Sequence, residues 1–268
     1  MTLVVTGVEG GRRPLFRHGY WNLVPRMARQ DLQTRYRQST LQIAWAFVQQ
    51  IVLVAIFAAF FHGVLKIDGD NMPYLSFVVC GLVPWRYFAS AMSGTSAITD
   101  SLGLISKVYF PREVVPLVRV VTAGVDFAIG LVLLVLVCWL QGHPPSVYLV
   151  ALPVVLLLLV AFTTAVTVVT TVLSVFVRDL SHAMPLLLQA GFFATPIMYP
   201  ASQIPSSLMF LVNANPMSVV ATCMRDIFLA GSWPNWGLLG LQLAIWLPAV
   251  VGSLAYSRSV EHRMVDLA

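Results

Sequence analysis

The side chains capable of acid–base, nucleophilic or metal chemistry are dispersed along this chain. Asp31, Asp100, Glu113, Asp179, Glu261 and Asp266 fall on the side of the chain that carries most of its arginines, yet no two lie within four residues of each other. Carboxylates that hold a divalent metal and a diphosphate must cluster, so these do not read as an enzyme's acidic site. Cys80, Cys138 and Cys223 stand apart in apolar surroundings. With no close pair to suggest a disulfide or a metal site, they read as buried, inert thiols. No G-x-x-x-x-G-K-[ST] loop occurs, so the chain does not hydrolyse a nucleotide by that mechanism. What stands out is a surface for contact. Ser106-Lys107-Val108-Tyr109-Phe110-Pro111-Arg112-Glu113 is a charged and aromatic island between two long apolar runs, and it must lie at a membrane face.

Those apolar runs position the island. Hydrophobic residues make up 58% of the chain and charged residues 10%, far below the about 25% usual in soluble domains, and the mean hydropathy is +0.82. Residues 127–177 hold no Lys, Arg, Asp or Glu. A soluble protein would repeat a polar face along every helix, and a β-barrel would show short alternating strands. The chain is therefore expected to be an all-α integral membrane protein. Its net charge of +5 does not point to nucleic acid. Seven of the sixteen Lys and Arg precede the first apolar run (Arg12, Arg13, Arg17, Arg26, Arg29, Arg35 and Arg37), a placement that sets orientation in a membrane. No cleavable signal peptide is expected, since the first apolar run starts only near Leu41.

The pattern divides the chain into residues 1–40, a tail with an amphipathic helix, and residues 41–268, a membrane domain. Six spans are expected at about 41–61, 74–98, 114–140, 148–176, 182–199 and 236–256. In the first part, Trp21, Val24, Ala28, Leu32 and Tyr36 share one helical face and Arg26, Arg29, Gln33 and Arg37 the other. This predicts a helix lying in the membrane interface, with Pro25 in its first turn. In the second part, Arg86 lies near the middle of an apolar run and must face other helices or a wet cavity. Arg119 and Asp126 are seven residues apart, so at least one is expected to find a different partner. Thr163, Thr164, Thr167, Thr170 and Thr171 fit close helix packing.

Two apolar segments, at 206–212 and 217–229, are each too short to cross roughly 30 Å of hydrocarbon and read as a re-entrant or interfacial helical hairpin. Asn215-Pro216 predicts the start of the second helix, with Asn as N-cap and Pro at the first helical position. An amino terminus in the cytoplasm places the arginine-rich lead, Lys107, Arg112, Arg178, Arg258 and Arg263 on one side, and leaves Lys66 and Arg225 in outer loops. The carboxyl terminus is then cytoplasmic as well.

Four stretches give the chain a resemblance to a known family. They are Arg35-Tyr36-Arg37-Gln38-Ser39-Thr40-Leu41 with Trp45; Gly81-Leu82-Val83-Pro84-Trp85 with Phe88; Lys107-Val108-Tyr109-Phe110-Pro111-Arg112-Glu113; and Val177-Arg178-Asp179 followed by Pro196-Ile197, Tyr199-Pro200 and Asn215-Pro216. In this order, over nearly the whole chain after Asp31, it resembles the membrane permease subunits of type-2 ABC exporters. The branch is the one that exports lipid-linked polysaccharides such as O antigens, capsules and teichoic acids. Gln42 and Gln50 depart from the pattern, standing where the branch has a Gly and a kinking Pro, which implies a straighter first span.

The resemblance implies a homodimer in the bacterial cytoplasmic membrane that encloses a path for the lipid-linked polymer. It also implies a separate ATPase dimer carrying ATP and magnesium, and no cofactor in this chain. Lys107, Val108, Tyr109, Phe110, Pro111, Arg112 and Glu113 would form the coupling helix that docks on the ATPase, with Tyr109 and Phe110 as anchors. A plain positively charged loop would explain the charges of the island but not its paired rings and proline. Arg29, Arg35, Tyr36 and Arg37 would gate entry, where guanidinium groups suit a diphosphate headgroup; attraction to anionic membrane lipid is the alternative. Trp45, Trp85, Arg86, Tyr87 and Phe88 are the channel-lining candidates, with anchoring at the membrane interface as the other reading of the rings. Pro196, Tyr199, Pro200, Asn215 and Pro216 mark an external gate, together with the short helices before the last span. Two other functions stay open at this point. One is the same fold carrying a drug or small lipid, and the other is a membrane enzyme acting on lipid-linked sugars, which the scattered carboxylates disfavour.

Overall fold

A computed structural model describes residues 20–37, 48, 51–52, 55–56, 59, 72–93, 113–177 and 179–260. Most of the span expected at 41–61, with Trp45, and island residues 106–112 lie outside the described set, as do Gln42, Gln50 and Arg178. The α-helices among the described residues are α1 (Tyr20–Arg37), α2 (Tyr74–Met92), α3 (Val114–Leu140), α4 (Leu152–Phe176), α5 (Asp179–Ala194), α6 (Met209–Ala214), α7 (Pro216–Arg225) and α8 (Trp236–Ser259).

Continuous apolar sequence makes the long helices. Four of them, α2, α3, the run Val147–Phe176 and α8, are long and apolar enough to cross a membrane. The 27 residues of α3 extend about 40 Å. Residues Val147–Ala151 form a 3-10 lead into α4, which then carries a proline in its first turn, where no backbone donor is needed. By contrast α5, in the expected fifth span, has 16 residues and reaches about 24 Å, short of the roughly 30 Å of hydrocarbon.

The two short segments before α8 are helical and meet at a bend of 95° between Ser206–Ala214 and Pro216–Ala230. The second starts as its sequence predicts: Pro216 opens α7, and Asn215 Oδ1 accepts from the Met217 amide at 3.0 Å. A π-helical turn at Asp226–Ala230 continues it, and Gly231, at φ 59°, ends it in the left-handed region that strains any side chain.

The centre of the bundle is α2, buried without interruption from residue 76 to residue 85 and packed against α3, α4 and α7. At the periphery, α8 lies mainly on α4 and buries Leu239, Gln242, Ser253 and Ser257. Small serines on that face let two helices approach closely. The threonines of α4 bond in both expected ways. Thr167 Oγ1 donates across to Met92 Sδ at 3.4 Å, and Thr170 Oγ1 donates back to the Val166 carbonyl at 2.8 Å.

One local expectation is corrected. Helix α1 begins at Tyr20, so Pro25 lies inside it rather than in its first turn. The proline withholds one backbone hydrogen bond, but Val24, Met27 and Ala28 seat on Val114 and Val118 of α3, and such packing supplies most helix stability in a folded chain. Arg26, Arg29 and Gln33 stay exposed on the other face.

Core position should decide tolerance. Leu158→Ala, at 0% exposure, is expected to cost about 2–5 kcal/mol. Leu140→Ala, at 74% exposure, should leave the thermal unfolding midpoint in detergent nearly unchanged, within about 0.5 kcal/mol.

Candidate functional site

Polar contacts gather at the two ends of α3. At its start, Glu113 occupies the N-cap position, where a carboxylate faces the positive end of the helix dipole. Only 5% of Glu113 is exposed, and both carboxylate oxygens accept from Nε of Arg258 at 2.9 Å. Nearly two turns further, Arg119 reaches Asp31 of α1 at 3.5 Å, a partner other than Asp126, as their spacing led one to expect. Val115, Val172, Val175, Phe176 and Val260 pack beside the Glu113 pair in a small cluster separate from the main core. Of the expected entry-gate residues, Arg29 is exposed on α1, while Arg35, Tyr36 and Arg37 complete that helix with side chains outside the described set.

At the far end, the chain leaves α5 and runs without helix through Thr195–Pro200. Such a segment exposes carbonyls that no helix satisfies. Arg225 of α7, 5% exposed, reaches them: one terminal nitrogen donates to the carbonyls of Pro196 and Ile197, each at 2.8 Å. Its Nε donates to the Phe77 carbonyl of α2 at 3.4 Å, and the guanidinium lies 3.5 Å from the centre of the Phe77 ring, a cation–π contact. Gly81 permits the approach, since a Cβ there would stand 3.3 Å from the Ile197 Cα and 3.4 Å from the Arg225 nitrogen.

The same corner gathers the external-gate residues named from sequence. Pro196, Pro200 and Pro216 are buried, Asn215 donates to Thr195 Oγ1 at 3.0 Å, and Tyr74 of α2 donates to the Met198 carbonyl at 2.9 Å. Tyr199 donates to the Phe193 carbonyl at 2.9 Å. From α8, Gln242 Nε2 donates to the carbonyls of Asn213 at 2.7 Å and Ala214 at 3.3 Å, while its Oε1 accepts from Trp246 Nε1 at 3.0 Å.

The channel-lining candidates of α2 lie between these ends, inside the protomer. Trp85, Tyr87 and Phe88 are buried ring against ring: Trp85 on Phe192 at 5.7 Å, Tyr87 on Phe127 at 5.3 Å and Phe88 on Phe162 at 5.0 Å between centroids. Arg86 is half-buried on α2. Its helix packs on α3, α4 and α7, so an arginine in this apolar run has other helices beside it.

Sequence reasoning placed Arg225 in an outer loop, used Gly81 only as part of a family stretch and Arg258 only for orientation, and passed over Gln242. For Arg225 a signal was present, because a lone arginine in the apolar stretch 217–229 is costly unless it is used. Arg225→Met should leave the buried carbonyls of Pro196 and Ile197 without this donor, at about 1–3 kcal/mol each, and sharply lower the thermal midpoint in detergent. Arg225→Lys, which keeps the charge but not the fork, should fall between.

Residues 23–229 match the family described as ABC-2 type transporter. The chain is 34% identical over 219 residues to the O-antigen export system permease protein RfbA of Myxococcus xanthus, covering 81% of this chain and 84% of that protein. It is 27% identical over 252 residues to a protein of the same name from Klebsiella pneumoniae, covering 93% and 96%. A more distant relative, the polysialic acid transport protein KpsM of Escherichia coli, is 21% identical over 239 residues, covering 88% and 92%. With that match running across most of a chain built of membrane-length helices, this protein belongs to the ABC-2 type transporter family.

Proposed function

We propose that this chain is the membrane-spanning permease of an ATP-driven exporter of lipid-linked polysaccharide in a bacterial cytoplasmic membrane. The observation that carries the reading is its similarity, nearly end to end, to permeases named for O-antigen export. The polysialic acid relative extends the same cargo class. The energy source must then be a partner, because the sequence holds no phosphate loop. ATP and magnesium sit on an ATPase dimer at the cytoplasmic face, and two copies of this chain enclose the path. Each copy has six spans, with 41–61 and α5 added to the four long helices, and both termini are cytoplasmic.

In this reading the charged end, with Glu113, Arg119 and Arg258, is cytoplasmic, and the corner at Thr195–Pro200 is external. Residues 107–113 dock on the ATPase through Tyr109 and Phe110. Helix α1 lies in the interface, where exposed Arg29 meets phosphate groups of the lipid carrier. Pro196, Tyr199, Pro200, Asn215 and Pro216 shape an outer closure, and a re-entrant reading of α6 and α7 suits their 95° bend. Trp45 and Arg86 are the candidates to face the path, while Trp85, Tyr87 and Phe88 support its wall from behind.

Deleting this chain should leave lipid-linked polymer accumulating on the cytoplasmic face, seen as loss of surface polymer by antibody staining of intact cells. Normal surface polymer with raised drug sensitivity would overturn the cargo class. Replacing Tyr109 and Phe110 together by Ala should abolish co-purification of the ATPase, and an unchanged, fully coupled complex would exclude the docking role of the island.

A further inference from the structure

We propose that α8 is a coupling rod between the island and the external corner, with Arg258 and Gln242 as its two positioning residues. The proposal rests on the reading of residues 107–113 as the ATPase contact, and adds a route by which that contact reaches the other face.

Glu113 is the last residue of the island, and its nearly buried carboxylate is gripped through both oxygens by Arg258, in the last turn of α8. Elsewhere the two helices meet through a shared neighbour: α3 packs on α2, α1 and α4, and α8 packs mainly on α4. The ion pair adds a direct tie between them. It is backed by the cluster of Val115, Val172, Val175, Phe176 and Val260, so the start of α3 and the ends of α4 and α8 form one block outside the main core. A push on the island has α8 as a direct recipient.

The other end of α8 holds the corner. Gln242 lies 16 residues before Arg258, about 24 Å along the axis, and grips the carbonyls of Asn213 and Ala214 at the point where the chain bends by 95°. Those carbonyls end α6, one residue before Asn215 caps α7 and ties Thr195. Trp246 donates to Gln242 Oε1 and stands edge-on to Phe162 at 4.7 Å, which in turn stacks on Phe88, so the amide has one available orientation. Gln242 is 2% exposed in a helix face that otherwise meets α4. A buried amide that spends both hydrogens on carbonyls at a bend is placed to move that bend with the helix.

A pair of staples with merely local roles would act independently, because distant sites add in free energy within about 0.3–0.5 kcal/mol. A rod makes them dependent, since breaking either end disconnects the same route. The test uses the full complex with its ATPase in lipid vesicles, supplied with lipid-linked polymer extracted from cells lacking this chain. It reads ATP hydrolysed per polymer exported. Arg258→Gln and Gln242→Leu are each expected to leave the ATPase bound and its basal hydrolysis intact while raising that ratio about fivefold or more. The double variant is expected to match the worse single one.

Factors that multiply in the double variant, or a ratio unchanged in either single one, would overturn the proposal. If a variant fails to assemble, the milder cycle of Arg258→Lys with Gln242→Asn is judged by the same two outcomes. Failure of the docking reading is told apart by the Tyr109→Ala, Phe110→Ala chain, which would then retain its ATPase whatever the α8 variants do.

Discussion

A carbonyl buried away from water must find a donor, and the break in helix at Thr195–Pro200 creates several such carbonyls in one place. Arg225 answers them with a fork fixed over the Phe77 ring. Much of the far end follows from that contact. Gly81 has to lack a side chain for α2 to come close, α7 has to end where its arginine can turn inward, and Asn215 has to bind Thr195 while capping the helix that delivers Arg225. The arginine also serves two roles at once, as donor to the chain leaving α5 and as clamp on α2. An ordinary apolar residue there could fill the space but could not satisfy the backbone.

The charged end is built on a different principle. There, α1, α3, α4 and α8 are joined by two ion pairs and by small apolar clusters that do not merge with the main core. Between the ends, rings from α2, α4 and α8 touch in sequence through Phe88, Phe162 and Trp246. The bundle thus has an aromatic middle and two polar ends that can differ in stability.

The long helices were legible because apolar continuity is a strong signal: α3 matches its expected limits, and the start of α7 follows from Asn215-Pro216 alone. Helix limits were weaker where tertiary packing overrode a local rule, as at Pro25, which sits within α1 because the helix gains a surface on α3. The aromatic stretch at Trp85 was read by residue type, which cannot tell a ring facing a path from one packed behind it; the neighbours Phe192, Phe127 and Phe162 come from other helices and no sequence spacing announces them. Gln242 was missed, and the partner of Arg258 with it, for the same reason. Their partners lie 28 to 29 and 145 positions away, so each looks like an ordinary polar residue in a membrane helix until the fold brings the partner in.

The unlike chemistry of the two ends sets an unlike response to dissolved ions. Asp31 with Arg119 is a partly exposed pair of opposite charges, which added electrolyte screens within a Debye length of about 10 Å at 0.1 M. The Arg225 fork binds neutral carbonyls out of reach of solvent, where mobile counterions have little access. Rising ionic strength therefore loosens the tie between α1 and α3 and leaves the Arg225 corner closed, an inequality built into the two ends of the molecule.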